Sequence, residues 1–305
     1  MRIAITGATG MVGTALSERL RTGGHEVIEV TRGSARDGGM WDAKSWIAPD
    51  ALDSVEGVVH LSGASIGDGR WSSARKDVLR SSRLDSTRLL VQHFATMTPR
   101  PRVFVCASAV GFYGDRGDEV LDETASRGAG FLADLVVEWE AEARKAEALG
   151  VRVVSARSGI ILDEGEGALP KMVMPIRFGV GGRLGSGRQW MPWVTLNDEV
   201  RALEFALTHE TVSGPMNIAA PVPATNRTFT SALGRVLHRP TLFPVPAVAL
   251  RLLLGEAADE LLLSSTRAVP TALQRAGFEF EDAELASALH RVLDRPEARL
   301  ATGGA

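Results

Sequence analysis

A chain of 305 residues, 45% hydrophobic and 23% charged, has the composition of a globular protein and the length to bury a full α/β core. Its net charge of −3 gives no electrostatic case for nucleic acid or an anionic membrane, and no apolar run is long enough to span a bilayer. The one cysteine, Cys106, excludes an intrachain disulfide and a cysteine cluster for zinc; with a strand under way at residue 2, no signal peptide and no metal are expected, and a reducing cytoplasm is the expected compartment.

In chain order, "RIAIT" (2–6) reads as a short buried strand. "VGTALSERL" follows with Val12, Ala15, Leu16 and Leu20 at helical spacing, and Gly23 and Gly24 stop it. "EVIEVTR" (26–32) and "GVVHLSG" (57–63) predict two further strands, and 74–97 a long helix carrying Val78, Leu84, Leu89, Leu90 and Phe94. "RVFVCAS" is a strand ending at Ser108, residues 131–150 a helix closed by Gly150, and "VRVVSAR" (151–157) a strand again. Strands alternating with helices predict a parallel sheet with right-handed crossovers. After about residue 164 the pattern changes: glycine and proline cluster through 165–192, "PMNIAA" (215–220) returns as one strand, and the remainder is mostly helical, with turns at 238–246 and 275–282. The expected layout is a nucleotide-binding domain over 1–164, to which 195–221 return, and a smaller substrate-side domain from 165–194 and 222–305.

"TGATGMVG" (6–13) sets Gly7, Gly10 and Gly13 between the first strand and the first helix, with Thr9, Met11 and Val12 completing the expected contact loop. Glycine lets the backbone turn tightly, approach a pyrophosphate and pack helix on strand, while the helix N-terminus offers unpaired N–H groups. An NAD site carries an acid about 20 residues past such a loop. Here the second strand ends with Thr31 and Arg32, and a guanidinium suits the 2′-phosphate of NADP; Glu29, the rival, sits earlier in the strand. NADP(H) is therefore expected over NAD(H). Leu61, Ser62 and Gly63 leave the third strand at the carboxyl edge of the sheet and are expected to border the adenine ribose and pyrophosphate. His60 is expected to be a locally satisfied strand histidine.

With "TGATGMVG", "HLSGA", "CASAVGFYG" and "ARSGIIL" in this order, the chain resembles the short-chain dehydrogenase/reductase superfamily, and within it the extended, atypical branch described as NAD-dependent epimerase/dehydratase-like. "RSGIIL", "GGRLGSGRQWMPWV", "GPMNIAAP", "ATNRTF" and "ALGRVLHRPTLFPVP" are similar to one subfamily there, so the resemblance covers nearly the whole chain. It implies a Rossmann-type doubly wound parallel sheet, a smaller, mostly helical C-terminal domain over the cleft, bound NADP(H), Arg83 and Ile160 beside the cofactor, and a homodimer through helices 74–97 and 131–149.

Most of that superfamily uses a tyrosine with a lysine four residues later, the tyrosine exchanging a proton with the substrate. The lysines here are Lys44, Lys76, Lys145 and Lys171, preceded at four residues by Met40, Ser72, Ala141 and Gly167; the only tyrosine, Tyr113, is followed at four by Gly117. No Tyr-x-x-x-Lys exists. The resemblance places the tyrosine column at Phe131 and the lysine column at Leu135, neither of which can transfer a proton. Ser108 stands where the family serine stands and is expected to orient a substrate or touch the cofactor. Tyr113, in the loop beyond it, is the second candidate catalytic residue. Arg188, Trp190 and Trp193 share one loop, and with Trp71 they are expected to form a planar, cationic wall for a small-molecule ligand. Asp198 reads as a capping or locally paired acid, and Asn226 or Thr228 as a helix cap. The expected function is an NADP(H)-binding atypical oxidoreductase or epimerase-like protein acting on a small molecule. The alternative is a non-catalytic NADP(H)-sensing protein.

Overall fold

The computed structural model describes residues 1–33 and 38–293; residues 294–305, the end of the expected second domain, lie outside the described residues. The first half runs β1 (Arg2–Thr6), α1 (Met11–Thr22), β2 (Glu26–Val30), β3 (Gly57–His60), α2 (Ser73–Thr96), β4 (Val103–Ala109), β5 (Val120–Leu121), α3 (Phe131–Arg144), β6 (Arg152–Ser158) and β7 (Ile160–Leu162). The second half runs α4 (Leu169–Arg177), β8 (Trp190–Met191), β9 (Trp193–Thr195), α5 (Leu196–Thr208), β10 (Gly214–Ile218), β11 (Ala224–Thr225), α6 (Asn226–Val236), α7 (Ala247–Leu254), α8 (Glu256–Ala258), β12 (Arg267–Ala268), α9 (Thr271–Arg275) and α10 (Leu285–Leu293).

Six of these strands form one parallel sheet in the order β10-β6-β4-β3-β1-β2, a Rossmann-type arrangement. The order reverses at β1: the chain leaves it for β2 on one side and returns to β3 on the other. Loops leaving β1 and β3 therefore diverge and open a crevice at the carboxyl edge, where such sheets bind ligands. Strand alternation sorts the side chains between the two faces. Val103, Val105, Val154 and Ala156 pack with Leu16, Leu20, Leu203 and Ala206 on the α1/α5 face. Phe104, Cys106 and Val153 pack with Phe94, Trp139 and Ala143 on the α2/α3 face. A third cluster, with Leu169, Trp193, Phe229, Leu233 and Leu289, holds α4, α6 and α10 around the small strands of the later segments. The 131–150 helix is α-helical to Arg144 and finishes in a 3₁₀ turn, Lys145–Leu149, which Gly150 closes in the left-handed region at φ 80°. No helix among the described residues is long and apolar enough to cross a membrane.

A candidate ligand cleft at the carboxyl edge of the sheet

A cavity of about 820 Å³ runs along the carboxyl edge, from the loop after β1, past the ends of β3, β4 and β6, to Trp190 and the π-helical turn Asp259–Leu263. Gly7 turns the loop at φ 72°, and a side chain there would strike the backbone of Leu61 at 2.9 Å. At Gly13 a Cβ would sit 2.2 Å from the Gly7 carbonyl oxygen, so only glycine lets α1 pack this close to the loop. α1 begins at Gly10 with no side-chain cap and no acid in its first turn, leaving its positive end open to an anion. Gly7, Gly10, Met11, Val12, Gly13, Leu61, Ser62, Gly63, Arg83, Ser108 and Ile160 all line the cavity. Thr9, Thr31 and Arg32 do not; they lie exposed beyond its rim, and Arg32 forms no ion pair among the described residues. Arg83 donates to the carbonyls of Leu79 and Ala64, both at 3.1 Å, and lies over the Trp139 ring. Its burial, helped by Arg75, pulls its pKa down to about 10. His60 is buried between Thr6 Oγ1 (2.6 Å) and Ser86 Oγ (3.1 Å), and burial, helped by Arg83, holds it neutral with a pKa near 3.

At the end of β4 the Ser108 hydroxyl lines the cavity and donates to Glu140 Oε1 at 2.6 Å. Glu140, on α3, is gripped by Arg157 of β6 in a two-pronged ion pair, Nε to Oε1 at 2.7 Å and Nη2 to Oε2 at 2.8 Å. Arg157 stacks on Phe112, 3.5 Å from the ring centre, and donates from Nη1 to the Tyr113 hydroxyl. Tyr113 in turn donates to Asn217 Oδ1 at 2.8 Å. These contacts correct the expectation for Tyr113. It is fully buried and absent from the cavity wall, and burial pushes its phenol pKa up rather than toward an acid's working range. Its hydroxyl is used in architecture.

Of the column expected at Phe131 and Leu135, only Leu135 lies on the cavity wall. Phe131 packs on Trp71 away from the cavity, whereas Leu135 is on its wall with Leu132, Val136 and Trp139. Both positions remain apolar. The first N–H groups of α3, of Phe131 and Leu132, are capped by the two carboxylate oxygens of Glu260 at 2.8 and 2.7 Å, because Gly130 has no side chain to cap them.

The tryptophan-and-arginine wall holds only in part. Trp190 lines the cavity, fixed by Nε1 donating to Asp118 at 2.8 Å and by Arg267 over its ring at 4.3 Å. Trp193 is 1% exposed in the core of the later segments, Trp71 is buried against Phe131 with Nε1 on the Ile66 carbonyl, and Arg188 is exposed to solvent away from the cavity. Apolar area decided the two tryptophans: each removes more surface from water in the core than at a rim. The cap of α6 is Thr225, which accepts from Thr228 N, while Asn226 accepts from Leu184 N. Asp198 pairs with Arg201 and accepts from the N–H groups of Glu281 and Asp282.

Glu140, Arg157, Glu260 and Glu199 were not singled out as functional residues by sequence reasoning. Glu199, on α5, is 2% exposed, lines the cavity, and accepts from Ser158 Oγ at 2.5 Å. A signal existed for two of them: Glu140 falls on the buried stripe Leu132, Val136, Ala143 of α3, and Glu199 on the stripe Ala202, Leu203, Ala206 of α5. A carboxylate on an apolar helix face requires a partner or a purpose.

Comparison with known proteins agrees with this geometry. A sequence model of the NAD dependent epimerase/dehydratase family matches residues 3–219, and one of a domain of unknown function, DUF1731, matches residues 245–292. The chain is 44% identical over 297 residues to the epimerase family protein Mb2239 of Mycobacterium bovis, covering 96% of this chain and 98% of that one. It is 35% identical over 301 residues to the epimerase family protein YfhF of Bacillus subtilis, covering 96% and 98%. Among solved structures, the human epimerase family protein SDR39U1 with NADPH superposes with a TM-score of 0.88 at 31% identity, over 97% of this chain and 100% of that one. A nucleoside-diphosphate sugar epimerase of Corynebacterium glutamicum gives 0.81 at 33% identity, over 99% of this chain and 60% of that one. With the family matched from β1 through β10 and relatives this similar along almost the full length, this protein belongs to the NAD dependent epimerase/dehydratase family.

Proposed function

We propose that this protein binds NADP(H) and acts as an atypical oxidoreductase or epimerase-like enzyme on a small molecule, in the cytoplasm, without a Tyr-x-x-x-Lys pair. The observation that carries this reading is that the uncapped N-terminus of α1 and the Ser108 hydroxyl open on one cavity, whose volume of about 820 Å³ lies in the upper part of the usual range for ligand clefts. Backbone N–H groups at Met11, Val12 and Gly13 would hold the pyrophosphate, and Arg32 the 2′-phosphate. NADPH in the human relative supports the choice of phosphate. When bound, the nicotinamide supplies hydride chemistry. Ser108 gives its own proton to Glu140, so it offers a ligand only acceptor lone pairs and orients a hydroxyl or amine.

Titration of the purified chain with NADPH and NADH, followed by NADPH oxidation across carbonyl compounds and nucleotide sugars, tests the reading. Arg32→Asp is expected to weaken NADPH roughly tenfold or more and leave NADH little changed; unchanged NADPH affinity rejects the 2′-phosphate assignment. A second reading, an NADP(H) sensor, is favoured by the apolar wall at Leu132 and Val136. Tight binding with no turnover on any member of the panel would establish it over the enzyme.

A further inference from the structure

Glu199 occupies the cleft in an unusual state. Oε1 accepts from Ser158, but the buried Oε2 has no hydrogen-bond partner among the described residues, although the residue lines the cavity beside Ser158 and Gly159. Buried polar atoms are rarely left unpaired, and because Glu199 belongs to the cavity wall a ligand in the cleft is a candidate partner. Among the described residues no cation neutralises it. The neighbouring Asp198 and Arg201 pair with each other, and Glu204 pairs with Arg19 of α1. Arg157 of β6 belongs to Glu140 on the opposite face of the sheet, and Arg152 to the carbonyls of Ala206, Leu207 and Val212. Glu18 and Arg21 of α1 lie at its far end, Arg21 with Glu29; β4, β7 and β9 carry no charged residue; and Glu166, exposed at the cavity mouth, adds only negative charge. Burial in this uncharged setting pushes Glu199 up to about 8, with the Ser158 hydrogen bond opposing it, so at neutral pH Oε2 carries a proton to donate.

The position of Glu199 then selects its ligand group. Ser158 pairs in register with Ala109, one residue beyond Ser108, so Glu199 reaches the carboxyl ends of β4 and β6. A dinucleotide with its pyrophosphate on the N-terminus of α1 crosses the crevice and lays its nicotinamide half at those ends. We infer that Glu199 is a cofactor-contact residue whose Oε2 hydroxyl donates a hydrogen bond to the carboxamide oxygen of the nicotinamide ring. This rests on the proposed NADP(H) binding and names a recognition element within it.

Glu199→Gln tests the contact directly. The amide oxygen can accept from Ser158 and the amide nitrogen can donate, as the neutral acid does, but it cannot ionise. Fluorescence titration of the full chain with NADPH from about pH 6 to about pH 9 is expected to show wild-type affinity falling above pH 8, where the acid ionises. The Gln variant is expected to lose that fall. Glu199→Leu is expected to bind NADPH roughly tenfold more weakly at neutral pH. The control ligand is 2′-phospho-ADP-ribose, which lacks the ring; it is expected to bind all three proteins alike at each pH. A Gln variant that retains the wild-type pH dependence overturns the assignment, as does a Leu variant weakened equally for both ligands. If the Leu variant does not fold, by thermal unfolding, the Gln comparison decides. Wild-type protein that binds 2′-phospho-ADP-ribose and NADPH with equal affinity also rejects the contact, whereas failure to bind either rejects the NADP(H) reading itself and the contact with it.

Discussion

Glu140 and Glu199 reach the same edge of the sheet from opposite faces, and the protein treats them differently. Both are buried, on apolar helix stripes, and each accepts from a serine at a strand end, Ser108 or Ser158. Glu140 also holds a guanidinium with both oxygens, and through Arg157 is tied to Tyr113 and Asn217. Among the described residues Glu199 has the serine alone. A fully partnered carboxylate fixes β4, β6, β10 and α3 against one another. A half-partnered one is a destabilising feature that a ligand in the cleft can satisfy. Burial and residue type are shared; the number of partners separates architecture from a site.

Truncation should separate the pair most sharply. Glu140→Ala strands Arg157 as a buried, uncompensated cation and is expected to cost about 3–5 kcal/mol in urea unfolding. A loss under about 1 kcal/mol would show that the network is not cooperative.

The pH dependence of stability sharpens the contrast next. The pKa of Glu199 is higher folded, about 8, than unfolded, near 4.5, so between these values the native state holds the extra proton. Its contribution is absent below pH 4.5, erodes stability as pH rises to 8, and is constant above. Relative to Glu199→Gln, wild type should lose about 1.4 kcal/mol per pH unit inside that window. Buried His60 slopes the other way, since its folded pKa is depressed and its proton is bound more readily by the unfolded chain below pH 6.5. Only the difference between wild type and variant isolates Glu199, and parallel stability curves would remove its raised pKa.

Glu199→Leu should cost less than Glu140→Ala, about 1–2 kcal/mol at pH 5, because losing the Ser158 hydrogen bond is partly offset by replacing an unpaired buried oxygen with apolar surface. A loss as large as that of Glu140→Ala would mean Oε2 has a partner in solution. The smallest effect is at Tyr113. Tyr113→Phe removes one bridging hydroxyl from the Glu140 side and is expected to cost about 1 kcal/mol while leaving NADPH affinity unchanged. A changed NADPH affinity would restore Tyr113 to the cleft.

Much of this molecule is legible from local pattern. The strand, glycine loop and helix of residues 2–22 stand where spacing put them, because turn, packing and helix N-terminus are set by neighbours within a few positions. Failure of every lysine to follow the one tyrosine at four residues is likewise complete in the sequence. The register of the apolar wall was less legible: Phe131 and Leu132 are both plausible inward residues until Glu260, over a hundred positions away, fixes how α3 begins.

By itself the sequence determined a parallel nucleotide-binding sheet, a glycine-rich loop at a helix N-terminus and a chain without the usual Tyr-x-x-x-Lys pair. Only the tertiary structure decided which polar groups meet. It buried Trp71 and Trp193 while leaving Trp190 on the cavity, turned Tyr113 from the cleft to Asn217 across 104 positions, gave Glu140 to Arg157 and left Glu199 without a cation among the described residues. The physical reason is that periodicity reports which way a side chain faces, whereas desolvation and hydrogen bonding depend on what the rest of the chain brings to meet it.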